Sequence, residues 1–119
     1  MMCFVRLVEM APDPVAEKIL SRLRRGVHLV TGDGPDDWQD YGPHPLWFAP
    51  VPDSPLSGEL HESIQLQLDY EIESQGDDSG WRPIWSWGQF ESDRETARVE
   101  WAGILTLRNL LILRAWGRT

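Results

Sequence analysis

The chain has 119 residues, 41% of them hydrophobic and 25% charged, with a formal net charge of −8. That length suits one domain whose core needs neither disulfide nor metal, and the composition argues against wholesale disorder. The acidity is concentrated in residues 31–100, where sixteen Asp and Glu face three Arg for a balance of −13, which disfavours direct binding of nucleic acid through basic clusters.

Along the chain, Cys3–Glu9 reads as a short strand or a helix lead-in. Cys3 is the only cysteine, so no intramolecular disulfide can form, and it is expected as a small hydrophobe in that first segment. Asp13 is placed to cap a helix with Pro14 at its first position. The helix is expected from Pro14 to Arg25, with Val15, Ile19, Leu20 and Leu23 on one face and Gly26 stopping it in the left-handed conformation. Val27–Thr31 then reads as a strand.

Residues 31–63 form an acidic, Pro-rich loop region within the single domain 1–119. Gly32 to Asp37 is rich in turn residues, and prolines at 43, 45, 50, 52 and 55 oppose a central strand or a helix. Leu46-Trp47-Phe48 is an apolar plug that anchors this stretch on the body. Ile64, Leu66, Leu68, Tyr70 and Ile72 alternate with Gln65, Gln67, Asp69 and Glu71, the pattern of a half-buried antiparallel strand. Leu66 and Leu68 are expected inside, and Gln65, Gln67 and Asp69 outside. Ser74–Gly80 is a loop, and Trp81–Trp87 an extended segment.

The last third is ambiguous. Ser92-Asp93-Arg94-Glu95 fits a capping box. One helix over 94–116 would nevertheless be apolar on nearly every side and would need complete burial, which so small a domain rarely provides. Two strands, 95–107 and 110–116, are expected instead, with a turn near Arg108-Asn109 and a bulge at Gly103. No internal repeat or heptad run stands out. The expected fold is α+β: an N-terminal helix packed on a small, mainly antiparallel β-sheet, with a Pro-rich loop excursion.

Chemistry-bearing patterns are sparse. His28, His44 and His61 lack metal-ligand spacing, and Asp33, Asp36, Asp37 and Asp40 match a cation loop only in composition. No nucleophile elbow or phosphate-cradling loop is present. The expectation is a non-enzymatic domain without cofactor or metal. It is expected in the cytoplasm, since no segment reaches the ~20 apolar residues of a membrane span.

Two features point to binding. The first is the set of acids Asp33, Asp36, Asp37, Asp40, Asp69, Glu71, Glu73, Asp77 and Asp78. On one strand face Asp69, Glu71 and Glu73 would lie about 6.6–6.8 Å apart, roughly fourfold sparser than the charges of duplex DNA, so the loops would have to join them. The second is seven Trp, of which Trp85 and Trp87 would share a strand face as aromatic anchors. Together they suggest a small inhibitor or regulator engaging a basic surface of a partner protein, such as one that holds nucleic acid. The alternatives are a ligand- or glycan-binding module built on Trp81, Trp85 and Trp87, and a structural subunit of a larger assembly.

Overall fold

The computed structural model describes residues 2–32, 34–38, 43–83 and 91–118, and among these residues there is no strand. The expected α+β fold is therefore overturned: the described chain is helical, with turns between the helices.

Helix α1 spans Met2–Met10 and α2 spans Asp13–Gly26. Cys3 lies exposed on α1 rather than packed as a small hydrophobe, while Val5 is buried. The expected second helix is present, but its ends are built differently. Pro12 takes the capping position, and its carbonyl accepts the Val15 and Ala16 N–H groups at 3.0 and 2.9 Å. Asp13 is the first helical residue and makes no capping hydrogen bond. Its carboxylate favours the positive end of the helix only through the macrodipole. Asp13→Ala is therefore expected to cost about 0.3–1 kcal/mol in chemical denaturation, below the ~0.5–2 kcal/mol range of a lost cap.

Gly26 does not stop α2 in the left-handed region. Its φ is −103°, and the chain runs on into a 3-10 turn at Val27–Leu29. The strand expected at Val27–Thr31 is thus a continuation of helical winding. Both the N–H and the hydroxyl of Thr31 donate to the Val27 carbonyl, at 3.1 and 3.2 Å. Val27 and Thr31, four apart, are the buried pair, and Leu29 is left outside.

The Pro-rich region supplies much of the core. Two single helical turns form, α3 at Pro35–Trp38 and α4 at Pro45–Phe48. Pro45 starts α4 at a position where its missing N–H costs nothing. This region buries Trp38, Leu46, Phe48, Ala49, Leu56 and Leu60. Gly32 is required by close approach, since a Cβ there would collide with the Cβ of Asp37.

Helix α5 spans His61–Glu73, where a strand was expected. Leu68 is buried as anticipated, but Leu66 is 53% exposed and Gln67 is buried, so alternation does not describe the segment. Helix α6 spans Glu91–Ala115, replacing both expected strands and running straight through Gly103 and Arg108-Asn109. Gly117, at φ +71°, closes it: the Arg118 N–H reaches the Leu113 carbonyl at 2.8 Å and the Gly117 N–H reaches that of Arg114 at 3.1 Å, a Schellman ending. The helix escapes the objection raised from sequence because it is not completely buried. Asn109, Ile112 and Leu113 face inward, while Ile104, Leu107 and Leu111 remain exposed. Among the described residues no helix is long and apolar enough to cross a membrane.

Candidate functional site

The two sides of α5 organise the middle of the molecule. Leu60, Ile64, Gln67 and Leu68 face inward at helical spacing and are buried. Glu62, Leu66, Asp69 and Glu73 recur at i, i+4, i+7 and i+11, so they form one exposed ridge along the opposite side. The two sides do different jobs.

On the inner side, a chain of polar groups ties four segments together. The Gln67 Oε1 accepts the Leu46 backbone N–H at 2.8 Å, which fixes the orientation of the amide. Its Nε2 then donates to Glu71 Oε1 and faces His44 Nδ1, each at 3.2 Å. That contact makes Nδ1 the acceptor and places the imidazole proton on Nε2. Asn109 of α6 donates to Glu71 Oε2 at 3.1 Å. The Glu71 carbonyl accepts the Trp81 indole N–H at 2.8 Å and the Ser74 hydroxyl at 3.1 Å. Trp47 stacks on His44, with ring centroids 5.1 Å apart and planes 13° apart, and the Arg108 guanidinium lies 6.0 Å from the Trp47 ring. With both carboxylate oxygens taken by amide donors, Glu71 is a structural acceptor.

Burial pushes the Glu71 carboxyl above its ordinary value, against the opposing pull of the Gln67 hydrogen bond, Arg108 and Asn109. An acid whose pKa is raised on folding binds more protons folded than unfolded. Its favourable contribution is complete below the ordinary value of 4.5 and is lost as pH rises through the raised one. Glu71→Gln removes this titration. Stability measured against pH should therefore move against the wild type, relative to the variant, on going from pH ~4.5 upward. Two parallel curves would contradict the burial argument. Burial also raises the Tyr70 phenol, with the Glu71 charge adding to the effect.

The outer ridge presents the acids to solvent. Asp69 holds Arg118 at 2.7 Å, and Gln65 accepts from the same guanidinium at 2.8 Å. Glu59, just before the helix, lies 3.8 Å from Arg24. Both ion pairs are exposed and worth little to stability. No basic residue occupies the last turn of α5, so Glu73 opposes the macrodipole at the negative end of its helix.

The acids singled out from sequence are thus dispersed. Asp69 and Glu73 share the ridge, while Glu71, two residues on in a helix, turns inward. Asp36 and Asp37 are exposed in α3, and Asp77 and Asp78 are exposed in the loop after α5. Asp78 is engaged locally, accepting the Gly80 N–H at 3.1 Å and Arg82 at 2.8 Å. Asp33, Asp40, Trp85 and Trp87 lie outside the described residues. Sequence reasoning missed Glu62 and Leu66 as ridge members; a helical wheel over 62–73 carries that signal.

The described indoles are mostly structural. Trp38 is fully buried and donates to the Gly32 carbonyl at 2.9 Å, and Trp81 is 5% exposed. Among the described residues, no group of three His, Cys, Asp or Glu side chains could hold a metal ion. No family model matches the chain, and neither the curated proteins nor the solved structures searched gave a match.

Proposed function

We propose that the protein is a non-enzymatic protein-binding domain that meets a basic surface of its partner across the outer ridge of α5. The observation that carries this reading is the ridge itself: Glu62, Asp69 and Glu73 in line, with the exposed Leu66 between them. Carboxylates of one sign steer a basic partner to the surface, and an apolar side chain among them excludes water once contact is made. The charge placement supports it further. Glu73 stands against the helix dipole, and local rules broken at a cost in stability are expected at functional positions.

Magnitude bounds the partner. Three carboxylates over about 16 Å of helix, one of them (Asp69) paired with Arg118, are several-fold sparser than the one charge per ~1.7 Å of duplex DNA. A basic helix or loop on a protein fits this ridge better than a groove shaped for a full duplex. Trp81 is committed to the core, which removes one member of the aromatic platform that a glycan-binding reading requires.

Affinity capture from the cells that encode the protein, run at low and at high salt, tests the proposal. The wild type should retain a basic protein at low salt and release it at high salt, and Glu62→Gln/Glu73→Gln should retain much less. Equal capture by both forms would sink it.

A further inference from the structure

The outer face of α6 is a second surface, separate from the α5 ridge. Glu100, Ile104, Leu107, Leu111 and Arg114 follow one another at alternating steps of four and three residues, the spacing of a two-heptad packing seam. Ile104 is 54% exposed, Leu107 61% and Leu111 55%, and Leu110 beside them is also exposed. An apolar stripe of this regularity on a fold-stabilised helix marks a packing surface rather than scattered surface residues. Gly103 sits next to the seam with nothing within 4 Å of where a Cβ would stand, so the stripe has a hollow beside its ridge. That hollow opens into a shallow groove between α6 and the Gly80–Trp81 backbone, lined also by Thr106, Leu107 and Leu110.

The charges at the two ends of the stripe specify what covers it. Glu100 closes the N-terminal end and Arg114 the C-terminal end; both are exposed, and neither forms an ion pair among the described residues. A helix laid antiparallel over the stripe needs a basic residue opposite Glu100 and an acidic one opposite Arg114. A second copy of α6 supplies both. With the two-fold axis near Leu107, Glu100 of each copy meets Arg114 of the other, Leu107 meets Leu107, and Leu111 of each faces the Gly103 hollow of the other. A parallel pairing would set Glu100 against Glu100 and Arg114 against Arg114. The antiparallel arrangement also opposes the two macrodipoles. It is self-complementary, as an isologous two-fold interface must be.

We infer that the protein self-associates into an antiparallel two-fold dimer through the Glu100–Arg114 face of α6. The helix is already ordered by its own fold, so pairing requires no new helix formation. Each copy carries −8, which opposes association when charges are unscreened, so physiological ionic strength is the condition for the measurement.

Sedimentation equilibrium of the full chain, from about 1 to 500 µM in about 0.15 M salt, reads the result. The wild type should pass from monomer to dimer within this range. Leu107→Glu places two carboxylates at the axis and should stay monomeric throughout, with unchanged helix content because the position is exposed. Glu100→Arg alone and Arg114→Glu alone should each raise the dissociation constant about tenfold, and the two together should restore it to within about threefold. A wild type that remains monomeric overturns the dimer and leaves the face to a different protein. A dimer indifferent to Leu107→Glu overturns the interface. Failure of the double charge reversal to restore association overturns the antiparallel arrangement. Because the α5 ridge is untouched by these substitutions, none of these outcomes bears on partner capture.

Discussion

Trp38→Ala is expected to lower the free energy of unfolding by about 3–5 kcal/mol. The ring is completely buried, so the substitution removes the largest side chain in the interior and leaves a cavity that its neighbours can fill only in part. It also strips the Gly32 carbonyl of the indole N–H at 2.9 Å and Tyr70 of an edge-on ring contact at 5.5 Å. Small domains hold a total of about 5–15 kcal/mol, so this one change should shift the urea midpoint strongly with little change in slope. A shift no larger than that of a surface substitution would mean that the 31–60 region is not part of the cooperative core.

Gln67→Leu should cost about 2–4 kcal/mol although it makes the interior more apolar. The replacement strands three groups at once: the Leu46 N–H, the His44 Nδ1 and Glu71 Oε1. A buried polar group left without its partner costs about 1–3 kcal/mol, and partial relaxation keeps the sum below simple addition. Gln65→Leu is the internal control. Its side chain reaches only the exposed Arg118 guanidinium, and the change should lie within about 0.5 kcal/mol. A strand would treat Gln65 and Gln67 alike, so a large difference between them also measures the helical winding of this segment. Equal small effects would count against both the network and the winding.

The legibility of the sequence differed from element to element for identifiable reasons. Helix α2 could be read because its apolar stripe, flanking prolines and basic last turn all agree. Its cap could not, because either Pro12 or Asp13 can precede the first turn and only the backbone decides. Helix α5 was misread because two members of its inner stripe are polar. With Gln67 and Glu71 in the interior, the stripe 60, 64, 67, 68, 71 loses its apolar signature, and the accidental alternation of Ile64, Leu66, Leu68, Tyr70 and Ile72 shows through. Buried polar networks hide periodicity in this way, since the partners that satisfy Gln67 and Glu71 lie at residues 44, 46 and 109.

Helix α6 failed for a different reason. Its residues are apolar on more than one side, a pattern that as one helix implies complete burial. The described structure leaves one of those sides exposed, and that exposed side became a surface with its own charge pattern. Among the candidate binding residues, the acidity of the middle region was legible, but its geometry was not. Strand spacing grouped Asp69, Glu71 and Glu73, whereas helical spacing groups Glu62, Leu66, Asp69 and Glu73 and sends Glu71 inside. The two expected anchors Trp85 and Trp87 lie outside the described residues.

The most direct measurement is the association rate of the captured partner with wild type and with Glu62→Gln/Glu73→Gln, by surface plasmon resonance at about 0.05 and 0.5 M salt. Asp69 is left in place so that its contact with Arg118 persists, and removing Glu73 from the negative end of α5 should leave the fold at least as stable. A steering ridge predicts that the wild type associates several-fold faster than the variant at low salt and that the two rates converge at high salt. Identical rates at low salt would contradict it, and the acids of α5 would then be only a solubilising surface.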